Sequence, residues 1–108
     1  MILATTDGVP GREITEVVGL VRGSTVRGSH LGEDVQAWID NLLGGEIEPY
    51  TRLVAQSREQ ALDRMVEEAR SRAADAVVGV RFTSCEIETG AAEFLVYGTA
   101  VKLAPKKS

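Results

Sequence analysis

The apolar positions of this chain fall into β-branched runs and into stretches at helical spacing, and the changes between them mark out its elements. Ile2-Leu3-Ala4-Thr5 is a short apolar run that meets the turn-rich stretch Asp7-Gly8-Val9-Pro10-Gly11, which predicts a first strand ended by a loop. From Glu13 to Gly28, Ile14, Val17, Val18, Leu20, Val21 and Val26 make a run rich in β-branched residues, punctuated by Gly19, Gly23 and Gly28. Glycine weakens a strand unless it forms a bulge or lets another backbone approach. The expected element is one long bent strand whose glycines permit close contact.

Leu31, Val35, Trp38, Ile39 and Leu42 then recur at helical spacing and predict a first, shorter helix, with Ser29 as N-cap and Gly44-Gly45 as its stop. A second, longer helix is predicted from about Pro49 to Ala73, since a proline costs nothing at the first helical position. Tyr50, Leu53, Val54, Ser57, Ala61, Met65, Val66, Ala69 and Ala73 form its apolar stripe, and the small residues in the later half let it lie close to a sheet. Ala76 to Ile87 reads as a strand, Glu88-Thr89-Gly90-Ala91 as a turn, and Glu93 to Leu103 as the hairpin partner. That last strand is apolar on both sides, with Phe94, Val96 and Ala100 on one and Leu95, Tyr97, Val101 and Leu103 on the other. A small sheet with helices on one side leaves a face open, so the second face is expected to be buried by another subunit. On that reading Val96→Asp or Leu95→Asp breaks the assembly.

Length and composition narrow the class. One hundred and eight residues, 44% apolar and 26% charged, describe a single soluble globular domain and exclude disorder or a disulfide-knotted scaffold. The domain is expected to cover residues 1–104, with 105–108 as a short tail. No apolar run approaches the ~20 residues of a membrane span, and the first residues do not read as a secretory signal. A single cysteine, Cys85, excludes an intrachain disulfide and fits a cytoplasmic location. Twelve basic against sixteen acidic residues give a net charge of −4, with the signs interleaved except at Lys102, Lys106 and Lys107. Phosphate recognition needs a basic stripe, so neither nucleic acid nor an anionic membrane is an expected partner.

The order of elements resembles that of the YbjQ-like family, described as "putative heavy-metal-binding". The residues that carry the resemblance are Thr5-Thr6, the segment Gly19 to Gly28 (GLVRGSTVRG), Gly44-Gly45 with Tyr50, and Ala61, Met65 and Ala69. Ala74-Asp75-Ala76-Val77-Val78-Gly79-Val80-Arg81-Phe82 and the closing Tyr97-Gly98-Thr99-Ala100-Val101 complete it, so that it spans nearly the whole chain. The resemblance implies a small dodecin-like α+β subunit assembled into a homo-oligomeric ring, a pentamer. The family usually has glycine where this chain has Ala73, so the long helix is expected to stop differently, at Asp75. It often has asparagine at the position of His30, which leaves that histidine without a role implied by the family.

Candidate chemistry is sparse. Borderline and soft metals want Cys and His in sets of three or four, and one subunit offers only Cys85 and His30. A ring could repeat either ligand about its axis, so a divalent or soft metal ion is the one cofactor candidate, with Cys85 and His30 as its candidate ligands. The blander reading, which we favour, makes Cys85 a half-buried strand residue and His30 a helix-start residue. Glu86, Glu88 and Glu93 could hold a hard cation, although acids near a turn are usually solvated. Cys85, His30 and Asp75 could be written as a catalytic set, but no spacing brings them together. The glycines lack the lysine and spacing of a phosphate loop. Trp38 and Tyr50 fit packing better than a ligand pocket.

The sequence thus describes an α+β subunit in which a small antiparallel sheet is packed by one long and one shorter helix. The expected function is non-catalytic: a self-associating ring binding a small ligand or ion at its interfaces or channel. The alternatives are a metal-binding or metal-buffering ring, and an adaptor for an unknown protein partner.

Overall fold

The computed structural model describes residues 1–27, 48–88 and 91–106. Strands β1 (Ile2–Leu3) and β2 (Ile14–Arg27) are followed by helix α1 (Glu48–Ser71) and strands β3 (Ala76–Glu88) and β4 (Ala91–Leu103). The strands form one sheet in the order β1-β3-β4-β2. The expected shorter helix, His30, Trp38, Gly44-Gly45 and the Thr89-Gly90 turn lie outside the described residues.

The fold is α+β, but the sheet is mixed and not antiparallel throughout. β4 runs antiparallel to β2 and to β3, whereas β1 runs parallel to β3, with Ile2 opposite Ala76 and Leu3 opposite Val77. Backbone bonds dictate that direction. Ala4 N–H donates to the Val77 carbonyl at 2.9 Å, Val80 N–H to Ala4 at 3.0 Å and Gly79 N–H to Thr6 at 2.8 Å. Gly79 can turn toward Thr6 because its φ of 61° is one that glycine adopts without cost. It sits in the bulge that shifts the β3–β4 register between Val78 and Arg81.

Helix α1 lies along β2 and β4. Its buried positions Ser57, Ala61, Met65 and Ala69 recur every four residues and form one face. Ala61, Met65 and Ala69 pack with Val21, Val77, Val80, Val96 and Ala100, flanked by Val18, Leu62 and Ala74. Full burial of one Val or Met side chain is worth about 1.5–3 kcal/mol, and this is the larger of the two buried clusters among the described residues. The glycines of β2 divide as their positions require. Gly19 marks a register shift, and Gly23 lets the helix backbone in. A Cβ on Gly23 would collide with the Ala61 carbonyl oxygen and lie 2.5 Å from the Met65 nitrogen. Beside it the buried Thr25 hydroxyl donates to the Ser57 carbonyl at 3.1 Å, so no polar group is orphaned by the close approach.

The helix does not continue to Asp75. Ala73 itself takes the left-handed conformation, φ 58°, that a glycine would occupy. Ala73 N–H donates to Arg70 at 3.0 Å and Ala74 N–H to Ala69 at 3.1 Å, the paired bonds of a Schellman cap. Ala73 is exposed and so leaves the apolar stripe in which its spacing placed it.

The far side of the sheet is covered at one end by the chain itself. Ala76, Val78, Val101 and Leu103 are buried against Ala4, Val9 and Ile14. This corrects the expectation that a second subunit buries that whole face of β4: Val101 and Leu103 are already covered. The Asp75 carboxylate accepts from Leu103 N–H at 2.9 Å. Arg12 donates twice to the Ala104 carbonyl, at 3.0 and 3.3 Å, which ties the end of β4 to the loop before β2.

Candidate functional site

Beyond that cover, no element among the described residues lies over the face of the sheet turned away from α1. Cross-strand partners share a face, so the register sets Arg22, Tyr97 and Arg81 in one row, Ser24, Leu95 and Thr83 in the next, and Val26, Glu93 and Cys85 in the third. Leu20 lies opposite Thr99 and Val17 opposite Val101 at the covered end. Large apolar side chains on this face stand in solvent: Val17 is 64% exposed, Leu20 59%, Val26 50% and Tyr97 38%. The Arg81 guanidinium leans away from the row, since its Nη1 donates to the Thr5 carbonyl at 2.7 Å and to that of Val80 at 2.9 Å. The open face is therefore an apolar strip along β2 and β4 with Arg22 and Tyr97 at its middle.

The sequence-predicted residues fall as follows. Cys85 is exposed on β3, not half-buried, because it stands on the face turned away from α1 and nothing among the described residues covers this end of β3. Its thiol donates to Glu93 Oε1 at 4.0 Å, across the strand pair. His30 lies outside the described residues. Glu86 pairs with Ala92 and Cys85 with Glu93, which sets Glu86 and Glu93 on opposite faces of the sheet. Among the described residues no group of three or more His, Cys, Asp or Glu side chains is placed to hold a metal ion. Asp75 and Cys85 are ten residues apart in or beside one strand, about 30 Å at the usual rise, and Asp75 is engaged by Leu103 N–H. They do not form a catalytic set. Val96 is fully buried beneath α1, so Val96→Asp strikes the core of the subunit and not its surface.

Sequence reading expected the second face of the last strand to be an interface, but did not say which side of β2 joins it. The signal was present in the alternation of β2, where Leu20, Arg22, Ser24 and Val26 share one side and Val21, Gly23 and Thr25 the other. The buried set includes a glycine and a threonine, so hydrophobicity alone did not say which side was inside. Among the described residues no helix is long and apolar enough to cross a membrane.

Comparison with known proteins places the chain. A family model named YbjQ and described as "Putative heavy-metal-binding" matches residues 1–104. A UPF0145 protein of Thermosipho melanesiensis is 52% identical over 106 residues, covering 98% of each chain. Another, from Archaeoglobus fulgidus, is 52% identical over 103 residues and 95% of each. In fold the chain is similar to a crystal structure of a protein of unknown function of the DUF74 family from Pediococcus pentosaceus. The TM-score is 0.66 at 15% identity, over 96% of this chain and 98% of that one. On a full-length match of this kind, the chain belongs to the YbjQ family.

Proposed function

We propose that this chain is a non-catalytic, cytoplasmic subunit of a homo-oligomeric ring, a pentamer, which holds a small ligand or ion at its subunit interfaces or in its channel. The observation that carries the reading is the open apolar strip of Val17, Leu20, Val26 and Tyr97. Four large apolar side chains exposed on one face of a sheet are grounds for reading that face as an interaction surface. The shape agrees with it. The radius of gyration is 17.5 Å, against ~13 Å for a compact domain of about 100 residues, so the subunit is a long slab that gains from being covered. β2 and β4 take part through this face.

A second reading, a metal-binding or metal-buffering ring, is supported by the family's description and by the exposed Cys85 thiol with Glu93 across from it. One Cys and one carboxylate make half a site, and ring symmetry is the means of completing it, with His30 as a further candidate ligand. Native mass spectrometry of untagged protein, before and after adding zinc or copper, tests both readings. A ring that takes up a whole number of metal ions, lost in Cys85→Ser or His30→Ala, favours the second. A ring that stays metal-free, with retained low-molecular-weight mass, favours the first. A monomer refutes both.

A further inference from the structure

Among the described residues the sheet order gives β2 a neighbour on one side only, and β2 is fourteen residues long. A long edge strand with exposed Leu20 and Val26 and no proline or lysine along it invites strand addition by another chain. Two helix side chains lie against it. Arg64 Nη1 donates to the Ser24 carbonyl at 2.6 Å, and Arg72 Nη1 to the Leu20 carbonyl at 3.3 Å. Leu20 and Ser24 are four residues apart, so their carbonyls point to the same edge. The spacing of donors and acceptors agrees: eight helical residues rise about 12 Å, and four strand residues span about 13 Å. Glu68, between the two arginines, holds Arg72 through Oε1 at 3.3 Å. Gly23 completes the device, because the missing side chain lets Arg64 come close, its Cβ lying 2.9 Å from the position a Gly23 Cβ would take.

We propose that Arg64 and Arg72 close the free edge of β2 against strand addition by a second copy of this chain. A carbonyl already bonded to a guanidinium offers an incoming N–H a poorer acceptor, and the two side chains fill the space an added strand would need. The occupant held off is a second β2, because this edge is long enough to pair with its own copy antiparallel and isologously. Association through the outward face leaves the edge closed, so the two surfaces are separable.

The test compares Arg64→Met/Arg72→Met with Arg58→Met/Arg70→Met, a pair matched in charge and taken from exposed helix positions. Sedimentation velocity over a concentration series is read together with the infrared band of intermolecular β-structure. The edge variant is expected to form larger, β-rich species at a concentration at least tenfold lower than the matched pair. Identical distributions for the two pairs would overturn the proposal. Thermal unfolding is followed in parallel; if the double variant loses its cooperative melt, the single Arg72→Met against Arg70→Met is scored by the same criterion. Because each comparison is between variants, a monomeric parent protein would end the ring reading and still leave this one decided.

Discussion

Ala73→Gly should stabilise the protein, and the amount can be worked from the helix cap. At φ 58° an L-residue with a Cβ sits in the left-handed region, at a cost of about 1–2 kcal/mol relative to right-handed backbone. Glycine removes that cost and incurs one of about 0.5–1 kcal/mol from the greater freedom of the unfolded chain. Ala73 is exposed, so deleting its methyl group empties no buried space. The two cap bonds, to Arg70 and Ala69, are backbone bonds and survive the change. Taken at the middle of the two ranges, the net gain is about 0.75 kcal/mol. At about 4–8 °C per kcal/mol for a domain of this size, the midpoint should rise by about 3–6 °C. Calorimetry and urea titration at one fixed protein concentration measure it, since association shifts apparent stability. The urea slope should stay the same, because the surface exposed on unfolding does not change. A midpoint below that of the parent would mean that Ala73 is not in the left-handed conformation or that the helix ends elsewhere.

Gly23→Ala should do the opposite. Its Cβ meets helix backbone at Ala61 and Met65, which cannot rotate aside, so a loss at or above the upper end of the usual 1–3 kcal/mol for overpacking is expected in thermal unfolding. Leu20→Glu places a charge on the open strip without touching the helix side; native mass spectrometry should find smaller assemblies, while circular dichroism shows a subunit folded as in the parent. An intact oligomer would count against the outward face as the interface. Val96→Asp, by contrast, should fail to melt cooperatively, because an unpaired carboxylate would stand among Val21, Val77 and Ala100. Asp75→Ala removes the acceptor of Leu103 N–H and should cost about 1–3 kcal/mol, read by urea titration.

The elements of this fold were legible where periodicity ran long. The stripe Ser57, Ala61, Met65 and Ala69 predicted both the long helix and its close approach, and the β-branched runs predicted β2, β3 and β4 within a few residues. Two features were not legible. The parallel pairing of β1 rests on two residues and on bonds made by the loop after them, and two residues carry no periodic signal. The helix cap was misjudged because preference against a left-handed alanine is worth only about 1–2 kcal/mol, which two hydrogen bonds and the packing of Ala74 can override. For the site, both-sided apolarity of β4 pointed to a covered second face. It could not divide that face between Val101 and Leu103, buried by the chain's own N-terminal residues, and Tyr97, left open.

That N-terminal cover has a bearing on how the molecule opens. Residues 1–14 hold the outer cluster by a few backbone bonds, from Ala4 to Val77, Gly79 to Thr6 and Val80 to Ala4, and by small apolar contacts from Ala4, Val9 and Ile14. None of these involves α1, so the segment can detach while the helix-side layer stays intact. It is expected to open as a unit of its own once its ties to Ala104 and Arg81 are released. In native-state hydrogen exchange the amides of Ala4, Gly79 and Val80 should exchange together, ahead of the central ladder of β4. Each such opening would bare Val101 and Leu103 and extend the apolar strip to the end of the strand, so the surface offered to another subunit is in part set by how tightly the first residues of the chain are tied down.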